Sequence, residues 1–252
     1  MTALSINLNK IALIRNSRDT AYPSVTEHAQ RCINAGAHGI TVHPRPDQRH
    51  IRADDCYALA EVLDVEFNIE GNPLAPAMKS DRHGVSDYPG FMEIIRRTRP
   101  AQCTLVPDNN SQLTSDHGFD LQRDGDTLLP IIEELKQLGV RVSLFMDPDP
   151  NQIVLAKAIG ADRIELYTGP YAEHFGGAQQ QDTLARFVEA SKVAADCNLG
   201  LNAGHDLNLH NLALFKNSVT ALLEVSIGHA FTVDAIELGL DNCIAAYLDC
   251  LR

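Results

Sequence analysis

Histidine and glutamate side chains stand at or near the ends of four short apolar runs in this sequence. His43 ends GITVH, Glu70 ends EFNIE, Glu165 lies within RIELY and His205 follows LGLNAG. Histidine titrates near neutral pH, and partial desolvation can raise a glutamate pKa toward neutrality, so both residue types suit proton transfer. Several such groups in one cavity indicate a sequence of proton transfers rather than a single step.

Basic side chains and glycines follow some of the same runs. Arg18 comes after the first run, Arg45 and His50 come after the second, and Gly228-His229 follows the last. An arginine guanidinium offers a planar fork for phosphate oxygens, and a glycine leaves backbone N–H groups free to bind an anion. The sequence therefore predicts a site for phosphorylated small molecules.

The elements that must position these residues alternate between apolar runs and segments with helical periodicity. We predict strands at 4–9, 39–43, 66–70, 102–106, 141–146, 163–167, 199–203 and 222–227, and helices at 24–35, 53–63, 89–98, 127–138, 150–159, 182–196, 208–216 and 231–251. Eight strands alternating with eight helices indicate an α/β protein with a parallel sheet that closes into a TIM (β/α)8 barrel. A doubly wound open sheet is the alternative, but it would usually have fewer strands and a glycine-rich turn after the first.

No linker rich in Gly, Ser or Pro divides the 252 residues, so we expect one domain over 1–252. The segment 71–90 is rich in Pro, Gly and charged residues and is expected to form an inserted surface loop. It could cover the site or make an oligomer contact, or it could be a solvated insertion.

In a TIM barrel the active site lies at the C-terminal ends of the strands, where these side chains would collect. Each residue alone also has a structural interpretation. Glu70 or Glu165 could pair with a neighbouring arginine, because glutamate is seldom buried without such a partner. Asn7 and Asn9 could close the barrel floor through hydrogen bonds, and Gly228 could be an ordinary turn glycine. The convergence of histidines, glutamates and arginines from different strands on one rim favours the functional interpretation.

The composition limits the partners that we expect. The formal charge of −12 argues against nucleic acid and against an anionic membrane surface. No stretch approaches the roughly 18 apolar residues of a membrane span, and the N-terminus lacks the pattern of a signal peptide. The six scattered cysteines never form CxxC, which is typical of free thiols in a reducing cytoplasm.

A catalytic metal is not expected. Metal-dependent hydrolases on this fold commonly carry His-x-His on the first strand, and the corresponding residues here are Asn7 and Asn9. The histidines are also too far apart on the predicted rim to assume shared coordination.

Several strings resemble the pyridoxine 5′-phosphate synthase family. They are INLNKIALIRNSRDTAYP, AGAHGITVHPRPDQRHI, FNIEGN, TLVPD, VSLFMDPD, IELYTGPYA, LNAGHDLN and IGHA, and they run in order through nearly the whole chain. The resemblance implies condensation of 1-deoxy-D-xylulose 5-phosphate with 3-amino-2-oxopropyl phosphate to pyridoxine 5′-phosphate, with release of phosphate and water. It also implies that no metal or organic cofactor is needed and that the chain forms homo-octamers built from dimers.

Matched positions imply roles for individual residues. His43 and Glu70 match the family's two general bases, His205 its proton donor, and Glu165 the residue assigned to transition-state stabilisation. Contacts to the aminoketone phosphate are implied for Asn7, Arg18, Gly228 and His229, and contacts to the deoxyxylulose phosphate for Arg45, His50 and Thr114.

The chain departs from the family pattern at three places. Asn9-Lys10 replaces a usual Asp-His pair that contacts deoxyxylulose phosphate, which keeps hydrogen-bonding capacity and adds a positive charge. Asp206 replaces a usual Gly after His205; its backbone could still contact substrate, but its carboxylate would be unfavourable near a phosphate unless it points away. The segment 71–90 is longer than the link common in the family.

Two other functions stay open at the level of sequence. One is another phosphosugar barrel, an isomerase or lyase, in which Lys10 would act as acid or Schiff-base former. The other is a barrel that binds a phosphosugar without catalysis, although the four ionisable positions argue against it.

Overall fold

Eight parallel strands close into a barrel in the computed structural model, which describes residues 1–18, 20–109 and 111–252. The strands are β1 Ala3–Asn7, β2 Gly39–Val42, β3 Glu66–Gly71, β4 Gln102–Leu105, β5 Arg141–Met146, β6 Arg163–Tyr167, β7 Gly200–Gly204 and β8 Leu222–Ile227. Each strand pairs with the next in the chain, and β8 pairs with β1. The predicted TIM barrel is confirmed.

Helices surround this barrel. In the described residues they are α1 Asn9–Asn16, α2 Val25–Asn34, α3 Ala53–Val62, α4 Phe91–Thr98, α5 Leu121–Gln137, α6 Pro150–Ala158, α7 Gly169–His174, α8 Gln180–Asp196, α9 Leu212–Ser218, α10 His229–Leu238 and α11 Leu240–Cys250. Side-chain caps fix some of the starts; for example, the Ser24 hydroxyl accepts a hydrogen bond from the Glu27 N–H at the start of α2. No helix in these described ranges is long and apolar enough to cross a membrane.

Several helix predictions were wrong. The predicted helix 231–251 is two helices, because Gly239 has a φ of 79° that ends α10 and begins α11. Helix α5 begins at Leu121 instead of 127, after the cap residue Asp120. Helices α1 and α7 were not predicted. In α1 the usual pattern is inverted, since Leu13 is exposed and Arg15 is buried, so its periodicity does not indicate a helix.

The apolar core lies between the strands and the helices, whereas the barrel interior is polar. Alternate strand residues such as Ile40, Val142 and Ile164 are fully buried and apolar. The residues between them are hydroxyls, amides and carboxylates: Ser5, Thr41, Asn68, Glu70, Gln102, Thr104, Ser143, Glu165, Asn202, Glu224 and Ser226. Because strand side chains alternate in direction, this second set faces the barrel axis.

All six cysteines are free thiols; four are buried and two are partly buried.

Candidate active site

His43 lies at the C-terminal end of β2 between two carboxyl groups. Its Nδ1 is 3.9 Å from Oε2 of Glu70, and its Nε2 is 3.3 Å from Oδ2 of Asp108. The His43 backbone N–H donates to Oδ1 of Asn9 at 2.9 Å. The first predicted base is therefore buried and held at both its ring and its backbone.

Asp108 was not among the predicted site residues. It follows β4 and accepts from the Arg45 guanidinium at 2.5 Å and from the Ser115 hydroxyl at 3.3 Å. Burial acts to raise the pKa of Asp108, but the neighbouring His43 and Arg45 outweigh burial and lower it. Asp108 is therefore an ionised acceptor for His43 at neutral pH. The sequence could have indicated Asp108, because it lies two residues past the predicted end of the fourth strand and the active site of a TIM barrel lies at the C-terminal ends of its strands.

Glu70, at the end of β3, has a pKa that is shifted in the opposite direction. Burial raises the pKa of Glu70 well above its usual value, and the carboxyl groups of Glu165, Glu224 and Asp108 raise it further. The Asn7 amide donates to Glu70 at 3.4 Å. The raised pKa favours the protonated form of Glu70, and a protonated Glu70 must give its proton away before it can act as a base.

Glu165 is buried in the barrel beside the backbone of β7. Burial raises the pKa of Glu165 to about 7. Within the described part of the chain its Oε2 has no hydrogen-bond partner. A Cβ atom at position 204 would lie 2.4 Å from Oε1 of Glu165, so Gly204 makes room for this carboxyl group.

The structural interpretation considered for Glu70 and Glu165, an ion pair with a neighbouring arginine, holds for two other glutamates instead. At the opposite end of the barrel Glu66 pairs with Arg141, and Glu224 lies 3.7 Å from Arg163. In the ranges that the structure describes, Glu70 and Glu165 form no ion pair with an arginine. Their burial without a cation is what keeps both pKa values high.

His205 stands directly after β7 with a φ of 85°, a conformation that is rare for residues other than glycine. Its Nε2 lies 2.6 Å from the Thr114 hydroxyl, and its Nδ1 lies 2.5 Å from Oδ2 of Asp206. The Tyr167 ring contacts the imidazole in an edge-to-face arrangement at 5.5 Å between centroids. The predicted proton donor is thus partly exposed and held from three sides.

The loop between β4 and α5 crosses the mouth of the barrel. Near its start the Arg45 guanidinium donates to the carbonyl oxygens of Asn109 and Gln112 at 3.1 and 3.3 Å. Further along, Thr114 reaches His205. One loop therefore connects the side of the site around His43 with the side around His205.

Gly228 and His229 form the start of α10. The first N–H groups of a helix have no partner within it, and this end carries a partial positive charge. A Cβ atom at position 228 would lie 3.0 Å from Cβ of Asn7, so the backbone there lies against the end of β1. His229 is exposed. The geometry suits an anion next to Asn7.

His50 is buried, with its ring centroid 6.4 Å from that of His43. Burial lowers the pKa of His50 well below its usual value, and the charges of His43, Arg45, Lys10 and Arg49 lower it further. Its Nδ1 accepts from the Ile51 N–H at 2.9 Å. His50 is therefore neutral and can offer its Nε2–H, but not a positive charge, to a phosphate.

The remaining predicted contacts lie at the edge of the site. Lys10 is half-buried in the first turn of α1, and its charge acts on His50. Arg18 is exposed just after α1 and precedes position 19, which lies outside the described residues. The structure does not bring the Arg18 side chain into contact with the groups around His43.

The insertion 71–90 packs against the loop that carries Arg45 and His50. Arg82 donates to the Asn16 carbonyl at 2.7 Å, and the Tyr88 hydroxyl donates to the Pro44 carbonyl at 3.3 Å. A cavity of about 170 Å³ lies between His43, Arg45 and Asp108 on one side and the insertion on the other, where Asn72, Leu74, Ala75, Pro76 and Tyr88 line it. This segment is therefore a wall of the site.

Across residues 1–18, 20–109 and 111–252 no three His, Cys, Asp or Glu side chains are grouped so that they could hold a metal ion.

The chain is similar to known proteins over nearly its whole length. The profile of the family described as "Pyridoxal phosphate biosynthesis protein PdxJ" matches residues 4–252. A pyridoxine 5′-phosphate synthase of Xanthomonas campestris pv. campestris is 56% identical over 250 residues, which cover 98% of this chain and 95% of that protein. The enzyme of the same name from Xanthomonas axonopodis pv. citri is 54% identical, with 100% and 97% covered.

Among solved structures, phosphoribosyl anthranilate isomerase from Thermotoga maritima superposes with a TM-score of 0.60. The superposition covers 100% of this chain and 98% of the isomerase chain at 12% sequence identity, which shows a shared fold and no more. The sequence relatives and the family profile carry the assignment: the chain belongs to the pyridoxal phosphate biosynthesis protein PdxJ family.

Proposed function

We propose that this chain is a pyridoxine 5′-phosphate synthase, which condenses 1-deoxy-D-xylulose 5-phosphate with 3-amino-2-oxopropyl phosphate to pyridoxine 5′-phosphate, phosphate and water. Relatives at 54% and 56% identity carry that name. The observation in the structure that carries the proposal is the placement of His43 between Asp108, whose pKa is lowered, and Glu70, whose pKa is raised. A ring-closing condensation needs such neighbouring groups that can take and give protons in turn.

Two phosphates would be bound at opposite sides of this group. The aminoketone phosphate would lie at the start of α10, where Gly228, His229 and Asn7 meet. The deoxyxylulose phosphate would lie near Arg45, His50 and Thr114, beneath the β4–α5 loop. Holding both phosphates fixes the reacting carbons close together, and such positioning lowers the barrier by several kcal/mol, on the order of 7 in well-oriented cases.

Schiff-base formation requires a proton to leave the amine and a proton to reach the ketone oxygen. Because ionised Asp108 can only accept a hydrogen bond, it holds a proton on Nε2 of His43. Nδ1 of His43, on the side of Glu70, is then free to take the amine proton. Glu70, whose raised pKa favours the protonated form, would supply a proton to the oxygen and then serve as a base in the later steps.

The later steps lose water and phosphate, add another water, and close and aromatise the ring. His205, at the far side of the mouth, would donate protons to departing oxygen. Glu165, whose pKa is about 7, exists in both protonation states near neutrality and would stabilise charge as it develops. The β4–α5 loop would exclude bulk water while these intermediates are present.

We also propose that the chain works in the cytoplasm as a homo-octamer built from dimers and without a metal or organic cofactor, as the family resemblance implies. The free thiols and the charge of −12 support an intracellular reducing compartment and small-molecule substrates. Size-exclusion chromatography with light scattering tests the oligomer.

The test of the proposed function is turnover with both phosphorylated substrates, followed by product absorbance and by release of inorganic phosphate. We expect wild-type turnover, and a fall of roughly 10²–10⁴-fold in kcat for His43→Asn and for Glu70→Gln, because each removes a proton-transfer group. His28→Asn on α2 and Glu133→Gln on α5 are the matched controls and should retain wild-type rates. Near-wild-type turnover in either site variant would refute the acid–base assignment, and no product from folded wild-type protein would refute the function itself.

A further inference from the structure

The residue after His205 is an aspartate whose carboxylate turns toward the neighbouring imidazole. Oδ2 of Asp206 lies 2.5 Å from Nδ1 of His205, and the two side chains are 38% and 25% exposed. An ionised carboxylate can only accept a hydrogen bond, so the proton between the two groups belongs to Nδ1 of His205. This contact fixes the tautomer of neutral His205, with its lone pair on Nε2.

The backbone around Asp206 is held so that its side chain keeps this direction. The Asp206 N–H donates to the Thr168 hydroxyl at 3.2 Å, and its carbonyl accepts from the Asn211 amide at 3.2 Å. The Thr168 hydroxyl in turn donates to the Gly204 carbonyl at 2.5 Å. The turn that places His205 at a positive φ is therefore fixed on both sides.

The opposite nitrogen of the ring faces the mouth of the barrel. Nε2 of His205 lies 2.6 Å from the exposed Thr114 hydroxyl, which can donate to the Nε2 lone pair. A substrate oxygen that enters beneath the β4–α5 loop would meet the same nitrogen. Asp206 and the incoming oxygen would thus lie at the two ends of one imidazole.

We propose that Asp206 is a positioning residue that orients His205, so that Nε2–H is delivered to the departing oxygen of the substrate. The proposal rests on the proposed function of the chain. In the step concerned, His205 protonated on both nitrogens gives its Nε2 proton to the leaving hydroxyl, which departs as water. The ring returns to the neutral form with its proton on Nδ1, where Asp206 accepts it.

The sharpest variant is Asp206→Asn, because an asparagine amide, unlike a carboxylate, can donate to Nδ1 and so allows the opposite tautomer. We expect kcat to fall by about 10- to 100-fold while KM for each substrate changes less than about threefold. Asp206→Gly, which carries the residue usual in the family, leaves Nδ1 to water and should lose less than Asp206→Asn. Asp249→Asn, which removes a surface partner of Arg252, is the control and should not change kcat.

A spectroscopic measurement separates the positioning role from a merely structural one. In solid-state ¹⁵N spectra of protein labelled at histidine, the signals of His205 are identified by their loss in His205→Asn. We expect a protonated Nδ1 and an unprotonated Nε2 in the wild type near pH 8, and a change of tautomer in Asp206→Asn. Wild-type kcat in Asp206→Asn, a loss confined to KM, or an unchanged tautomer would each overturn the proposal. The spectrum can be measured without turnover. An inactive wild type would therefore refute the proposed function, whereas the effect of Asp206 on the tautomer of His205 could still be tested.

Discussion

Two carboxyl groups flank His43, and their surroundings shift their pKa values in opposite directions. Asp108 contacts His43 and Arg45, whose charges hold the pKa of the aspartate down against its burial. Glu70 is buried, accepts from the amides of Asn7 and Asn68, and has other carboxyl groups around it, so its pKa is raised. The ion pair with Arg45 is thus one contact that distinguishes the two carboxyl neighbours of His43. This arrangement depends on a contact between two loops, and residue spacing alone does not reveal it.

Asp108→Asn removes the anion that Arg45 and His43 share. We expect a fall of at least about 10²-fold in kcat, because the tautomer of His43 is no longer fixed. We also expect a loss of about 3–5 kcal/mol in the free energy of unfolding, because a buried guanidinium loses its partner. Turnover is measured at a temperature at which the variant is folded, and stability is measured by urea unfolding.

The control for that variant is Asp47→Asn, which breaks a half-exposed ion pair with Arg49. Exposed pairs contribute roughly 0–1 kcal/mol, so its stability should stay close to that of the wild type. If Asp108→Asn is as stable and as active as Asp47→Asn, Asp108 plays no part in organising the site.

At the scale of elements, the loop that carries Arg45 and His50 is fixed by neighbours that lie far away in sequence. Arg15 pairs with Asp55 at the start of α3, and the Asn16 amide donates to three consecutive carbonyls that end at His50. Both residues belong to α1, a helix that was not predicted from the sequence and whose buried face is polar. The polar residues on the buried face of α1 therefore obscure its helical periodicity in the sequence, and they also hold the loop that carries Arg45 and His50.

The insertion 71–90 contacts the outer side of the loop that carries Arg45 and His50, and a substitution of Arg82 tests this contact. Arg82 donates to the carbonyls of Asn16 and Gln48 at 2.7 and 3.3 Å, and hydrogen bonds to a charged group contribute about 1.5–3 kcal/mol. For Arg82→Ala we expect KM for deoxyxylulose phosphate to rise about 3- to 10-fold, with a smaller change in kcat. Initial rates at varied substrate concentration measure both.

Lys79→Ala removes an exposed cation from the same insertion and serves as the control. Equal KM values in both variants and the wild type would show that the insertion is a solvated addition, which is one of the alternatives that its sequence left open.

At the scale of the whole molecule, the barrel could be predicted because eight apolar runs alternate with helical segments. The residues His43, Glu70 and His205 also lie at or just after the C-terminal ends of β2, β3 and β7, and His43 lies beside Glu70. Thr114 reaches His205 only through the path of a long loop, which the residue pattern does not specify. The polar interior is also visible in the sequence, since strands such as EFNIEG and QCTL carry a polar residue at alternate positions.

The polar interior makes stability depend on pH, and Glu165 provides the test. Its pKa rises from 4.5 to about 7 on folding, so the folded chain binds more protons than the unfolded chain between these values. The stability associated with protonated Glu165 is complete below pH 4.5 and is lost as the pH rises through 7, by about 3 kcal/mol in total.

Glu165→Gln is uncharged at every pH and escapes this loss. We therefore expect its unfolding free energy to exceed that of the wild type by a margin that grows from pH 5 to pH 8, as measured by urea unfolding at each pH. Glu133→Gln, on the exposed face of α5, should show no such trend. A constant difference between Glu165→Gln and the wild type across this range would mean that Glu165 titrates as an ordinary solvated carboxylate, and that it is ionised throughout the reaction.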